Sequence, residues 1–447
     1  MSPLETRTVT TLALIYALRM FGLFMVLPVL ALFAQDYQGA TASLVGVAIG
    51  VYGLTQACLQ LPFGVWSDRI GRKPVIVIGL ALFSLGSALA AVADDIWLLI
   101  LGRALQGAGA VASTLMALMT DLTREENRTK AMASIGASIG LSFTLAMVVG
   151  PLLAGWMGLS GLFMLTGLLS LLAIGLLLAV VPTPRQQVRS RDARAFVSQL
   201  GDVFKDKQIL RLSFGIFTLH AVLVACFVAL PVALVDAGLL QPEHWKVYLP
   251  VMLVAFVMMV PFIIIGEKKQ KMKQVLLCAV ILLMASVALL GFELSSVWGI
   301  SFALWVFFVA FNILEASLPS LVSKFAPAGF KGSAMGVYST SQFLGAFIGG
   351  MLGGLLSEYY SLSYVFWGML PLLFIWIVLV WTMQTPRHLT SYRVALSVQG
   401  LNNTMLESQL LTLPGVHEVV IMLNDQAAYL KVDSKEFDPI HLKKFNT

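Results

Sequence analysis

Charge is scarce in this chain. Only 12% of its 447 residues are Asp, Glu, Lys or Arg, about half the roughly 25% of an ordinary soluble domain. That shortage excludes a soluble globular fold, because 58% of the residues are hydrophobic and the mean hydropathy is +0.88. The solvent for most of the chain must be lipid. Cysteine is scarce too. Cys58, Cys226 and Cys278 each lie in an apolar run, with neither CxxC nor paired spacing. This excludes a disulfide framework and a cysteine metal centre, and the three read as small buried hydrophobes. GxxxxGK[ST], HExxH and other metal-ligand clusters are missing as well, so ATP-driven transport and metalloenzyme chemistry have no support. No cofactor, metal or enzymatic activity is expected.

What the chain does have is apolar runs, and a membrane span needs roughly 20 such residues. Candidate spans are 11–34, 43–65, 74–93, 96–119, 131–156, 161–181, 209–234, 247–266, 274–292, 297–322, 332–356 and 362–383. The first is longer than a signal-peptide core and is interrupted by Arg19, which predicts a retained span. Alternate connections differ in charge. One set holds Arg69, Arg72, Lys73, Arg124, Arg128, Lys130, the arginines of 185–194, then Lys268, Lys269, Lys271, Lys273, Lys324 and Lys331. The other holds Asp36, Asp94, Asp95, Asp236, Glu243, Glu293 and Glu358, with Lys246 alone opposing. Cytoplasmic loops carry the Lys/Arg excess. The alternation therefore predicts both termini in the cytoplasm, and explains the net charge of +6 without a nucleic-acid partner.

The two halves echo each other. LPVLAL at 27–32 recurs as LPVALV at 230–235, with Pro28 and Pro231 203 positions apart. LPFGVWSDRIGRK from Leu61 recurs weakly as VPFIIIGEKKQKM from Val260, at an offset of 199 that sets Glu267 opposite Asp68 and Lys271 opposite Arg72. GPLLAG at 150–155 faces GGMLGG at 349–354 at the same offset. Such a repeat predicts two parallel six-span bundles that bind substrate between them near the midplane. Residues 182–208, polar and Arg-rich, read as the linker between halves, with a short surface helix around 194–204.

The most specific motif is Gly64-Val-Trp-Ser-Asp68-Arg69-Ile-Gly71-Arg72-Lys73, between spans two and three. It resembles the signature loop of the major facilitator superfamily, G-x-x-x-D-R-x-G-R-K. In span four, Arg103-Ala-Leu-Gln106-Gly107 resembles that family's R-x-x-Q-G motif. In span five, Gly140 and then Gly150-Pro151-Leu-Leu-Ala154-Gly155 resemble the G-P-x-x-G-G motif of its drug:proton antiporters, with Ala154 in place of a glycine. The likeness covers about residues 5–385 and is greatest to YajR-type transporters, which also carry a small C-terminal domain. It implies that Asp68 takes up the dipole at the N-terminus of span eleven, near Gly332 and Ser333, with Arg72 paired to Asp121, so as to latch the cytoplasmic side in an outward-facing state. Gly64 and Gly71 permit tight turning and close helix approach. In span five, Gly136, Gly140, Gly150, Ala154 and Gly155 are expected to allow close backbone packing, and Pro151 to kink the helix.

Among the ionisable residues, Arg19, Arg103, His220 and Glu315 lie deep within spans. A charge at the bilayer centre costs about 2.5–3.5 kcal/mol on insertion scales, so such residues face a cavity or a partner. Arg103 either snorkels to the interface or, as the resemblance implies, serves proton transfer. Glu315, one turn after Asn312, is the leading proton-carrier candidate, against a structural hydrogen-bonding role. His220 can titrate near physiological pH or simply pack. Arg19 is expected to pair with Glu315 or another carboxylate.

After Pro386 no run is long enough to span. Residues 390–447 hold five basic and six acidic side chains. The pattern reads strand 392–398, helix 401–412, strand 416–423, turn at Asn424 and Asp425, strand 427–433, helix 438–446. Val416, Val419 and Ile421 oppose Ala428, Leu430 and Val432 in a hairpin. The βαββα order predicts a ferredoxin-like sandwich. It resembles heavy-metal-associated domains but lacks their CxxC, and its role is either regulatory docking or bland stabilisation.

The expected organisation is an N-terminal six-span bundle at 1–183, a linker at 184–208, a second bundle at 209–386 and the small α+β domain at 390–447. The whole reads as an all-α membrane fold with that appendage. The expected function is proton-coupled efflux of a small amphipathic or drug-like molecule by a monomer in a bacterial-type inner membrane. A symporter or uniporter for a metabolite, or a membrane sensor, is the alternative.

Overall fold

The structure, a computed structural model, describes residues 1–124, 127–183, 201, 203–292, 295–326, 331–385, 389–395, 403–422, 427–433 and 437. Most of the expected linker and its surface helix, the turn at Asn424 and Asp425, and the expected helix 438–446 lie outside the described residues. The spans form α1 (Pro3–Phe33), α2 (Ala42–Ile70), α3 (Arg72–Ala91), α4 (Ile96–Ala108), α5 (Ala112–Asp121) and α6 (Arg128–Val180). In the second half come α7 (Lys207–Asp236), α8 (Trp245–Lys268), α9 (Met272–Phe292), α10 (Val297–Phe325), α11 (Lys331–Tyr359) and α12 (Leu362–Trp381).

Two places differ from the simple reading. The expected fifth and sixth spans have no loop between them. α6 runs 53 residues, about 80 Å at 1.5 Å per residue, far more than one ~30 Å hydrocarbon core needs. It turns at Gly158, whose φ of 66° suits a residue without Cβ. Both arms flank the same stretch of α1: a Cβ on Gly150 would lie 2.4 Å from the Met25 carbonyl, while Thr166 Oγ1 is 3.4 Å from the Gly22 carbonyl. α6 is therefore a helical hairpin that crosses twice. The fourth span, expected as one run, breaks at 109–111 into α4 and α5. There Gly79 and Gly109 approach so closely that a Cβ on Gly109 would meet the Gly79 carbonyl at 2.3 Å.

The repeat survives in backbone detail. Gly71, between α2 and α3, has φ 105°, and Gln270, between α8 and α9, has φ 55°. They stand 199 positions apart, the offset of Pro62 and Pro261. The charges around these turns are exchanged between halves. Arg72 at the start of α3 pairs with Asp121 at the end of α5, 3.2 Å apart, whereas Glu267 near the end of α8 pairs with Lys324 near the end of α10 at 2.9 Å.

α11 joins the halves. A Cβ on Gly345 or Gly349 would lie 2.1 Å from the Phe217 or Ala221 carbonyl of α7. On another face, a Cβ on Gly350 would lie 2.6 Å from the Gly46 carbonyl, and one on Gly354 would lie 2.5 Å from that of Ala42. Small residues let backbones approach where lipid supplies no hydrophobic drive between helices. Gly46 meets Gly354 while Gly53 meets Phe343, so α2 and α11 run antiparallel. These contacts lie toward the end of the bundle that bears the acidic loops, called here the acidic end. Two more links between halves are there: Gln241 Nε2 donates to the Pro151 carbonyl at 2.9 Å, and Gly155 packs on Pro242. Gly136 and Gly140, by contrast, face open space, so the close packing expected of them is absent from this state. Cys226 is buried as expected, but Cys58 and Cys278 are exposed.

The C-terminal domain has β1 (Leu389–Ala395), α13 (Asn403–Leu411), β2 (Val416–Met422) and β3 (Ala427–Asp433), with antiparallel sheet order β1-β3-β2. β1 starts three residues before its expected position because it pairs with β3 along its whole length, from Leu389 opposite Asp433 to Ala395 opposite Ala427. The hairpin partners are those expected: Val416 with Val432, Val419 with Leu430, Ile421 with Ala428. A bulge at His417 keeps Val416 and Val419 on one buried face despite their odd spacing.

Two glycine substitutions should separate packing from propensity. Gly349→Ala puts a methyl against the α7 backbone, and overpacking costs about 1–3 kcal/mol. Gly140→Ala meets nothing within 4 Å and gains helix propensity of up to about 1 kcal/mol. Thermal unfolding in detergent should show a lowered midpoint for the first and an unchanged or raised one for the second.

Candidate functional site

Polar side chains gather at three places inside or beside the spans. The first lies where α2 ends and α3 begins, at the basic end. Gly71, in its left-handed conformation, ends one helix and starts the next. The turn brings Arg72 back over the last turn of α2. Arg72 forms an ion pair with Asp68, donates from Nη1 to Ser67 Oγ at 2.7 Å and from Nε to Asp121 Oδ2 at 3.2 Å. Ser67 Oγ in turn donates to the Gly64 carbonyl at 2.7 Å. Arg72 is buried, Asp68 partly so, and Arg69 is exposed beside half-buried Lys73. Gly64 meets only Ser113, at an ordinary 3.8 Å, so its lack of a side chain serves no close approach here.

The second place is in the N-terminal half, where Arg19 and Arg103 are buried at 1% and 4% exposure. Burial at that level excludes snorkelling for Arg103. Arg19 meets no carboxylate among the described contacts. Its Nη2 donates to Tyr52 Oη at 2.9 Å, Gln56 Oε1 at 2.8 Å and the Gly109 carbonyl at 3.2 Å. That carbonyl sits at the break between α4 and α5, where it also accepts from the Val111 N–H at 2.9 Å. Arg103 donates from Nε to the Ala48 carbonyl at 3.2 Å and from Nη1 to Gln106 Oε1 at 2.7 Å, and Gln106 Nε2 passes the chain to Ser87 Oγ at 2.7 Å. Aromatic faces complete the shell, with Phe83 5.8 Å from Arg19 and Tyr52 5.4 Å from Arg103. Carbonyls, amides and ring faces thus replace the water each guanidinium gave up.

The third place is in the C-terminal half, where α7, α10 and α11 meet. Gln342 Nε2 lies 2.8 Å from His220 Nε2 and 3.5 Å from Glu315 Oε1, with His220 Nε2 3.9 Å from Glu315 Oε2. An amide holding an imidazole and a carboxylate at once links their protonation. Gln342 donates to His220 only while that nitrogen lacks a proton. The Glu315 side chain is 39% exposed although it lies well inside α10. Among the described residues, Glu315 Oε2, Asn312 Nδ2 and Tyr338 Oη have no hydrogen-bond partner. The cluster looks onto the interface between halves, since the His220 ring lies 6.0 Å from Phe311, and Phe311 stacks 6.2 Å from Phe143 of α6.

The expected site residues therefore separate. His220 and Glu315 come together, Arg19 and Arg103 share Tyr52, and the two pairs lie in opposite halves. Tyr52, Gln56, Tyr338 and Gln342 were not singled out from the sequence. Each pair is spaced i, i+4 inside an apolar run, one face of a helix, and that spacing was the available signal. In α6, Ala154 is buried and Gly150 touches Met25. Pro151 stands inside the helix with its carbonyl bound by Gln241 from the other half.

Two six-span bundles related by an internal repeat, with buried charge at their core, define a secondary transporter, and comparison with known proteins agrees. The chain belongs to the Major Facilitator Superfamily, whose family model matches residues 12–349 and 271–395. Residues 392–445 match the YajR YAM domain. The chain is 48% identical to the inner membrane transport protein YajR of Escherichia coli over 97% of this chain and 96% of that protein. It is a YajR-like transporter of this superfamily with a C-terminal YAM domain, and not an enzyme. It is 29% identical to the multidrug resistance protein MdtH of Aeromonas hydrophila over 79% of this chain and 88% of that one. A bacterial homolog of the human lysosomal transporter Spinster, solved in an inward-facing and occupied conformation, shares the fold at TM-score 0.72 and 14% identity, over 85% of this chain and 97% of that one.

Replacing Arg19 by Leu leaves Tyr52 Oη and Gln56 Oε1 without their shared donor. Each unsatisfied buried group costs about 1–3 kcal/mol, so the unfolding midpoint in detergent should drop by several degrees. An unchanged midpoint would show that Arg19 contributes nothing to holding the broken span in place.

Proposed function

We propose that this transporter is a proton-coupled antiporter that exports a small amphipathic molecule, with Glu315 as the proton carrier. The observation that carries the reading is the Glu315 carboxylate, partly exposed in the middle of α10 and bridged through Gln342 to His220. A group that gains and loses a proton there changes the charge at the interface between halves. A few kcal/mol of differential stability is then enough to move a two-state equilibrium. Arg103 and Arg19 supply fixed positive charge in the opposite half.

The basic end is read as cytoplasmic, from the Lys/Arg excess of its loops. Both termini then lie in the cytoplasm of a bacterial-type inner membrane, and the contacts of the acidic end close the periplasmic side. Asp68 is the cytoplasmic latch. In the outward-facing state it takes up the N-terminus of α11, a charge–dipole contact worth about 0.3–2 kcal/mol, while Arg72 and Asp121 hold it in place. The span-five motif favours antiport, and the similarity to a multidrug resistance protein supports an efflux direction. The functional unit is taken to be a monomer with bundles at 1–183 and 209–386, a linker at 184–208, and a C-terminal domain at 390–447 that tunes rather than performs transport.

Inside-out vesicles with an acidified lumen test this directly. Lipophilic cations, dyes and small metabolites are added in turn while the gradient is followed. Wild type should lose its gradient when a substrate is present, and Glu315→Gln should not. A Glu315→Gln variant that dissipates the gradient as fast as wild type would remove Glu315 from the carrier role. Deleting 387–447 should leave substrate flux within about threefold of wild type, since the carrier and latch lie outside that segment. Complete loss of function would favour the sensor reading.

A further inference from the structure

The acidic end of α2 is capped by a residue that the transport reading above does not use. The first N–H groups of a helix have no acceptor within it. Thr41 precedes α2, and its hydroxyl accepts from the Leu44 N–H at 3.3 Å. The N–H of Ser43 takes a different partner: it donates to Glu358 Oε2 at 2.7 Å, across 315 positions of sequence. Glu358 belongs to α11, in the other half, one residue before that helix ends.

A carboxylate at a helix N-terminus meets both unpaired N–H groups and the positive end of the dipole. Here it stands at the rim of the glycine contacts, where Gly354 meets Ala42 and Gly46. Because α2 and α11 are antiparallel, their ends are reciprocal. α11 finishes with an acid where α2 begins, and α2 finishes with Asp68 on the face of the bundle where α11 begins.

We propose that Glu358 is the latch of the acidic end, the counterpart of Asp68 at the basic end. Its carboxylate holds the N-terminus of α2 while the acidic end is shut, and releases it when the halves rock apart. Each helix carries one acid for the other's N-terminus, and rocking engages them in turn. The inference rests on the alternating-access part of the reading above, and not on Glu315, the substrate or the direction of transport. Both groups are solvent-exposed, so the latch is weak and reversible. Removing its charge should change the ratio of the two states about two- to fivefold.

Pulsed electron–electron spin resonance on the full chain in lipid nanodiscs tests it. Spin labels go on Asp94→Cys and Ser295→Cys, exposed positions at the acidic end of each half, with Cys58, Cys226 and Cys278 replaced by Ser. Glu358→Gln should raise the long-distance population, and Asp68→Asn should lower it. Glu358→Asp, which keeps the charge but loses reach, should also raise it, and it decides the matter if Glu358→Gln is not monodisperse. The latch is overturned if the Glu358 variants match wild type while Asp68→Asn shifts the distribution, since glycine packing alone would then hold the acidic end. A single distance in wild type and every variant would overturn it too, by removing the rocking itself.

Discussion

The approach of α2 to α11 is the contact on which the rest of the molecule depends. Both helices lie between neighbours, so neither can present a broad apolar stripe to lipid. α11 shows this in its composition. It is rich in Gly and Ser, and it lies against α7 on one face and α2 on another. In a membrane, packing of this kind rests on dispersion and on backbone proximity, with no gain from leaving water. Contact between two smooth backbones stores little side-chain interlock. It can therefore be made and broken at one end without repacking the core of either bundle, whose apolar clusters lie largely within one half.

Around that hinge the charges divide by kind. Those in the N-terminal half, Arg19 and Arg103, bind carbonyls, amides and a phenol rather than a carboxylate. Neutral acceptors have a structural consequence. The guanidiniums draw the broken fourth span, the second helix and the third into one rigid block, and leave its positive charge uncancelled. The C-terminal half holds the groups that can change charge, His220 and Glu315, joined through one amide.

Much of this was legible in the sequence, for reasons that differ from feature to feature. The spans follow from bulk thermodynamics of transfer, which depends on composition over twenty residues and tolerates local error. The signature loop was legible down to the Arg72–Asp121 pair through its resemblance to the superfamily motif, which implied that pair. The hairpin register of Val416, Val419 and Ile421 was legible through their burial pattern, although only the structure shows the bulge at His417 that reconciles their spacing. The turn at Gly158 falls in the expected gap between spans five and six, although the helix continues through it without a loop, whereas the break at 109–111 was hidden, because it occurs inside unbroken apolar sequence with no polar residue to mark it. Arg19 was expected to seek a carboxylate, but the partners it finds are a phenol, an amide and a carbonyl at that hidden break.

Glu315 and Arg19 together show why three-dimensional placement, and not residue type, decides which buried ion can serve a cycle. Both sit inside helices, and both carry a cost if left bare. Arg19 has turned that cost into structure: it is almost wholly buried, and its bonds tie three elements together. A group so enclosed cannot exchange protons or ligands without unpacking the bundle around it. Glu315 is held by a single long contact from Gln342, with one oxygen unpaired among the described residues and its side chain partly open. Leaving it so costs stability in the resting fold, and the surrounding packing must supply that difference. A carboxylate kept under-satisfied at the interface between two halves can be satisfied in one way by a proton and in another by a cationic or hydrogen-bonding ligand. Since both would use the same oxygens, they would exclude each other, and mutual exclusion at one shared group is the minimal physical requirement for exchanging one for the other across a membrane.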